Sequence, residues 1–296
     1  MTTIGTEPAL ITSTQGVRIA VYDLGAPAGE VDAPIILFSH ATGFHGLVWQ
    51  PMADHLRDRF HCIAIDHRGH GRTEMPAGTS LAWSNMGNDV LAVLDAGLAA
   101  PGVPVHAVGH SMGGASLVLA AARRPGVLRS LWLYEPVIVP PGFLPPGSGP
   151  NPMAEAAARR RASFDSYELA LANYAAKPPL NQLHPDALRA YVEGGFSLQA
   201  DGSVTLRCAP ASEAEVYRGA GESGTWAVLA ELELPIAIVA GNRQGDSFGP
   251  VHFATAVSEE LPRGTLIERA QLGHFGPLQD PATMAADVRS WVQPQL

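Results

Sequence analysis

Apolar residues along this chain follow two patterns that alternate. Short runs rich in β-branched and aromatic residues read as strands: VRIAVYD (17–23), PIILFS (34–39), HCIAID (61–66), PVHAVG (104–109), RSLWLYE (129–135), PIAIVA (235–240) and TLIER (265–269). Between them lie longer stretches with helical period. Met86, Val90, Leu94 and Leu98 recur at about one turn, which predicts a helix with one face laid on a sheet. Small residues from Gly113 to Ala122 predict a second helix that approaches the sheet closely. Strands alternating with helices predict an α/β fold: a mostly parallel central sheet with helices on both faces.

The alternation breaks between Pro136 and Gly224. A linker, PPGFLPPGSGP (140–150), is too rich in φ-restricted and breaker residues for a helix or a central strand. Ala- and Arg-rich helical segments follow at 152–177 and 185–193, and the strand pattern resumes at Pro235. The expectation is one core domain, 1–135 with 225–296, carrying a helical lid (cap) inserted at 136–224.

Composition narrows the function. The formal charge is 19 minus 28, or −9, with no run of lysine or arginine, so nucleic acid is not an expected partner. The two cysteines, Cys62 and Cys208, fit a reducing compartment rather than a disulfide framework. No stretch approaches the roughly 18 apolar residues of a membrane span, and the N-terminus lacks a basic start followed by an apolar run. A soluble, cytoplasmic protein acting on a small molecule, without membrane association, is expected; a homo-oligomer is left open.

The chemistry centres on VHAVGHSMGGASLVLAAARRP, a buried strand followed by Gly109, His110, Ser111, Met112, Gly113 and a helix. This is GxSxG in the setting that gives it meaning, a strand-to-helix turn so sharp that small residues must flank a serine projecting from strained backbone. A serine hydroxyl needs a base within hydrogen-bond reach and an acid to orient that base. His274, in AQLGHFGPLQDP after the last predicted strand, is the candidate base among eleven histidines. His110 is expected to point away from the nucleophile and pack.

With SHATGFHGLVW (39–49), DHRGHGRT (66–73), GHSMGG (109–114) and GHFGP (273–277) in this order and spacing, the chain resembles the α/β-hydrolase superfamily over nearly its whole length. The resemblance implies the α/β-hydrolase fold, serine-nucleophile branch, with the lid after the sixth core strand. It also implies an oxyanion hole from the backbone N–H groups of Thr42 and Met112, and no cofactor. DHRGHGRT gathers Asp66, His67, Arg68 and His70, but metal-ligand spacing is lacking and the superfamily uses this segment as a structural turn, so no metal is expected. His55, His61 and His106 read as core-edge or surface residues.

Two carboxylates compete to orient His274. Most members of the superfamily place the acid after the strand at 235–240, where GNRQGDSFG offers Asp246. Another branch, including haloalkane dehalogenases and some lactone hydrolases, places a glutamate at the end of the strand after the nucleophile helix; Glu135 in LWLYEPV fits that pattern and is preferred. Serine at 111 argues against chemistry that uses an aspartate nucleophile. The expected reaction is hydrolysis of an ester or lactone of a small, largely apolar substrate through an acyl-enzyme. Hydrolytic carbon–carbon cleavage of a vinylogous keto acid, a weaker haloperoxidase-like activity and a low-turnover receptor are the alternatives. Phe143, Leu144, Phe164, Tyr167, Tyr174 and Phe196 in the lid suggest an apolar substrate group, or equally helices packed on the core.

Overall fold

A computed structural model describes residues 7–143, 151–243 and 249–296. Its strands are β1 Ala9–Thr12, β2 Arg18–Gly25, β3 Ile35–Ser39, β4 His61–Ile65, β5 Val105–His110, β6 Ser130–Tyr134, β7 Ser163–Phe164, β8 Phe196–Leu198, β9 Val204–Leu206, β10 Ile236–Ala240 and β11 Gly264–Glu268. Eight of them form one sheet in the order β1-β2-β4-β3-β5-β6-β10-β11. The β1–β2 and β2–β4 pairs are antiparallel; every pair from β4 to β11 is parallel.

The period of two along each strand divides the core into two layers. Ile35, Leu37, Ile63, Leu131, Leu133 and Ile238 face one side, where Val90 and Val93 of the helix Trp83–Asp95 and Leu117 and Val118 of the helix Met112–Arg123 cover them. Ile36, Phe38, Ala64, Val108, Trp132 and Val239 face the other, against Met284 and Val288 of the helix Pro281–Val292 and residues of the segment inserted between β6 and β10. Both faces of the inner strands are dry, as expected for a parallel sheet whose crossover helices lie on both sides.

The α/β architecture expected from the pattern is therefore present, with differences at the margins. The helix expected to run through Leu98 ends at Asp95, because Gly97 turns the chain at φ +82°. β1 is a four-residue edge strand, too short and half-exposed for its alternation to stand out. The stretch 152–177 is two helices, Pro152–Ala158 and Tyr167–Ala175, with Asn151 and Ser166 as N-caps and β7 between them. The inserted segment also holds a small sheet, β7-β9-β8, whose β8–β9 turn passes through Asp201 and Gly202 (φ +86°). An Asp-Gly pair between alternating residues is a hairpin signal. Two more helices, Pro185–Gly195 and Pro210–Arg218, complete it.

Among the aromatic residues expected in the lid, Phe164 and Phe196 are buried with ring centroids 5.8 Å apart, and Tyr174 packs on Phe164, also at 5.8 Å. Phe164 and Phe196 belong to the buried cluster that also holds Ile36, Phe38 and Trp132 of the central sheet, and Tyr174 packs against it. Phe143 lies against Phe253 at 4.3 Å, and Leu144 falls outside the described residues. Among the described residues no helix is long and apolar enough to cross a membrane.

One fully buried ion pair ties the first half of the chain together. Arg68 donates Nε to Asp89 Oδ2 and Nη2 to Asp89 Oδ1, both at 2.7 Å, and its other donors reach Ser80 O, Gln15 Oε1 and Thr14 Oγ1. Removing one member leaves an uncompensated buried charge, a loss of about 3–5 kcal/mol. Asp89→Ala is expected to lower the urea-derived unfolding free energy by that amount; a change below about 1 kcal/mol would show that solvent already screens the pair.

Candidate active site

β5 ends at His110 and the helix Met112–Arg123 starts two residues later, so Ser111 alone must turn the chain. It does so at φ 56° and ψ −119°, a conformation that costs a residue with a Cβ on the order of 1–3 kcal/mol. The neighbouring glycines make the turn possible. A Cβ on Gly109 would lie 2.6 Å from Gly114 Cα, and one on Gly114 would lie 2.9 Å from Pro136 Cβ. Hydrogen bonds hold the strained residue in place: Ser111 N donates to Tyr134 O at 3.0 Å, and Ser111 O accepts from Gly114 N at 3.1 Å and Val137 N at 3.2 Å.

Glu135 follows the last residue of β6 and is also left-handed, at φ 41°. Its N–H donates to Val239 O at 2.9 Å, which keeps its backbone in the sheet. The carboxylate is 2% exposed, and burying it requires partners for both oxygens. Oε1 accepts the Gly241 N–H at 2.8 Å. Oε2 accepts His274 Nδ1–H at 2.6 Å. With Nδ1 turned to the carboxylate, the His274 ring leaves Nε2 as the nitrogen free to act as a base.

The His274 loop is held at several points. Tyr134 OH donates to Gly273 O at 2.7 Å, and Gly273 N donates to Gln279 Oε1 at 2.8 Å. His110, expected only to pack, does more: its Nε2–H donates to the backbone carbonyl of His274 at 2.7 Å, with the two rings 4.9 Å apart. Burial lowers the His110 pKa well below the usual imidazole value, and the neighbouring His274 ring lowers it further. The neighbour of Ser111 is therefore a neutral hook on the residue proposed as its base. Among the described residues no hydrogen bond joins Ser111 Oγ to His274; such bonds often close only when substrate binds. Asp246, the other carboxylate considered for His274, lies outside the described residues.

Thr42 and Met112 are buried, and among the described residues neither N–H has a protein acceptor. The loop carrying Thr42 rests on DHRGHGRT. His40 Nε2 accepts His67 N–H at 2.9 Å, His70 Nε2 accepts Gly43 N–H at 3.0 Å, and Asp66 Oδ1 accepts Gly46 N–H at 2.6 Å. Asp66 Oδ2 takes Tyr22 OH at 2.7 Å and Arg72 N–H at 2.6 Å. Asp66, His67 and His70 thus make backbone and side-chain hydrogen bonds beneath the loop. Burial, with mutual repulsion, lowers the pKa of His67 to about 3; burial lowers that of His70 to about 4 and holds His40 well below the usual range. His55 is exposed, His61 pairs with Asp23 at 3.2 Å, and His106 bonds Ser130 Oγ at 2.8 Å.

Known proteins resemble this chain in sequence and in fold. The model of the alpha/beta hydrolase family matches residues 36–287. A Mycobacterium tuberculosis protein named "Probable oxidoreductase EphD" is 35% identical over 118 residues, 40% of this chain but only 19% of that protein's length. The 2-(acetamidomethylene)succinate hydrolase of Mesorhizobium japonicum is 29% identical over 213 residues, 70% of each chain. The 3-oxoadipate enol-lactonase 1 of Acinetobacter baylyi is 35% identical over 105 residues, 36% of each chain. A solved E-2-(acetamidomethylene)succinate hydrolase superposes with a TM-score of 0.77 over 96% of this chain and 98% of its own, at 21% identity, a likeness of fold.

The neutral histidines make a prediction about acid stability. Their folded pKa values lie below the unfolded value of about 6.5, so stability is complete above that pH and falls as the unfolded chain takes up protons the native chain refuses. Each contributes a slope of about 1.4 kcal/mol per pH unit between roughly pH 6.5 and its folded pKa. Urea unfolding is expected to show this decline from pH 6.5 to 4.5, and a flat profile would mean that these rings are protonated in the fold.

Proposed function

This chain belongs to the alpha/beta hydrolase family, and from that premise we propose that it is a serine hydrolase cleaving an ester or lactone of a small, largely apolar substrate. The observation that carries the reading is the 2.6 Å contact of Glu135 on His274, whose carbonyl is in turn held by the residue beside Ser111. In this reading His274 Nε2 takes the Ser111 hydroxyl proton as Oγ attacks the acyl carbon. Glu135 keeps the ring in the required tautomer and stabilises the imidazolium. The Thr42 and Met112 N–H groups donate to the oxyanion, one such donor contributing about 3 kcal/mol to transition-state stabilisation. His274 returns the proton to the leaving alcohol, and water, activated by the same ring, releases the acid.

Residues 136–224 serve as the lid over this site, with 1–135 and 225–296 as the core. In support, Tyr191 O accepts His45 Nε2–H at 3.2 Å, and the Tyr191 ring lies 5.0 Å from Phe44, so the insert packs on the loop carrying Thr42. We place the protein in the cytoplasm on its two buried, unpaired thiols. A second reading is hydrolytic carbon–carbon cleavage of a vinylogous keto acid; of this, the relative named 2-(acetamidomethylene)succinate hydrolase, which matches 70% of this chain, supports only the acidic character of the substrate.

Two measurements test the serine reading. A fluorophosphonate should label the wild type at one site per chain and leave Ser111→Ala unlabelled though folded; labelling of the variant would remove Ser111 from the role. On p-nitrophenyl esters from acetate to octanoate, Glu135→Gln should reduce kcat by roughly 10⁴-fold while Asp246→Asn changes it little. The reverse order would transfer the acid role to Asp246.

A further inference from the structure

Arg160 follows the helix Pro152–Ala158 and reaches the loop that carries Thr42. Its Nη1 donates to Glu213 Oε2 at 2.5 Å, and its Nη2 donates to Tyr174 OH at 3.2 Å and to the Tyr191 hydroxyl. The pair lies against Gly43, the neighbour of Thr42. A Cβ on Gly43, which has φ +80°, would sit 2.5 Å from Glu213 Oε1 and 3.3 Å from Arg160 Nη1. Tyr191 in turn packs on Phe44, whose ring is 5.4 Å from Phe275 and 6.5 Å from His110. Arg160, Glu213 and the proposed triad therefore border one aromatic wall.

A guanidinium beside an oxyanion loop would ordinarily recruit a substrate carboxylate, the more so where water is excluded. Here that charge already has a partner, and the partner is the more deeply buried of the two: the Glu213 side chain is 6% exposed and that of Arg160 is 20% exposed. A second carboxylate arriving at Arg160 would meet Glu213 in a medium of low dielectric. Four of the other arginines in the inserted segment are engaged elsewhere, Arg159 with Glu155, Arg189 with Glu193, Arg161 over the Phe164 ring and Arg207 on Phe196 O.

We propose that Glu213 determines substrate specificity: by neutralising Arg160 beside the oxyanion loop, it sets the site for uncharged esters or lactones and against substrates bearing a carboxylate. The proposal rests on the acyl-transfer reading above and adds the charge of the substrate to it. It also assigns the succinate-type chemistry of the 70%-matching hydrolase to that protein rather than to this one.

The test compares kcat/KM for p-nitrophenyl butyrate, which is neutral, with that for p-nitrophenyl hemisuccinate, which is of similar length but carries a carboxylate. Wild type is expected to prefer the neutral ester by at least about tenfold. Glu213→Gln keeps the shape and an acceptor for Arg160 but removes the charge, so the preference should shift about tenfold or more toward the hemisuccinate. Adding Arg160→Met should abolish that shift. Glu213→Met, which cannot pair with Arg160, should show the same shift if the Gln variant folds poorly. In parallel, calorimetric titration of succinate into Ser111→Ala, with and without Glu213→Gln, reads the charge without any turnover. A gain in succinate affinity on Glu213→Gln supports the proposal. Equal loss on both esters with no gain in succinate binding overturns it and leaves the pair a packing feature. Failure of wild type to take up a fluorophosphonate overturns the acyl-transfer reading instead, whatever the calorimetry shows.

Discussion

The arrangement depends on one buried carboxylate. Glu135 has to bring a negative charge into the end of the sheet, and the position is tolerable because both oxygens are bound, one by the Gly241 N–H and one by His274. Sheet register delivers these partners. His110 of β5 is paired with Tyr134 of β6, and Tyr134 with Val239 of β10, so Ser111 and Glu135 leave the sheet side by side, next to Ala240, the last residue of β10. The candidate nucleophile, its acid and the loop that anchors the acid are thus neighbours because three parallel strands end at the same level. His274 completes the set from the loop after β11, tied down by Tyr134, Gln279 and His110.

A second layer of polar groups supports the other half of the site. Asp66 and His70 lie under the Thr42 loop and accept its Gly46 and Gly43 N–H groups, His40 of the loop accepts the His67 N–H, and burial keeps the imidazoles neutral and able to accept. From above, the inserted segment presses Glu213 and Arg160 against Gly43. The loop that offers Thr42 is therefore clamped between a hydrogen-bonded network in the core and an ion pair in the inserted segment. Such a clamp preorganises a donor before charge develops, which is where electrostatic stabilisation is most effective.

How much of this could be read from residues alone follows from the range of each interaction. The seven expected strands all appear, because apolar runs with a period of two are local signals, and Ser111 stood out because its turn imposes glycines within three positions. Glu135 was legible as a charge ending an apolar strand, a costly placement that asks for a partner. The hook from His110 to the His274 carbonyl spans 164 positions and left no local trace. The same is true of Arg160 and Glu213, 53 positions apart, which within the sequence look like ordinary surface charges on Ala-rich helices. The β8–β9 hairpin did carry a signal, Asp201-Gly202 between alternating residues, but it lay past the helical segments at 152–177 and 185–193, in an insert expected to be helical throughout.

The central claim is that Glu135 orients His274, and it can be observed without substrate. A 2.6 Å bond from Nδ1 to a buried carboxylate shields its proton from exchange and deshields its resonance. A proton NMR spectrum is therefore expected to show a far-downfield line assigned to His274 Nδ1–H, lost in Glu135→Gln and retained in Asp246→Asn. A line that survives Glu135→Gln and disappears in Asp246→Asn would contradict the account.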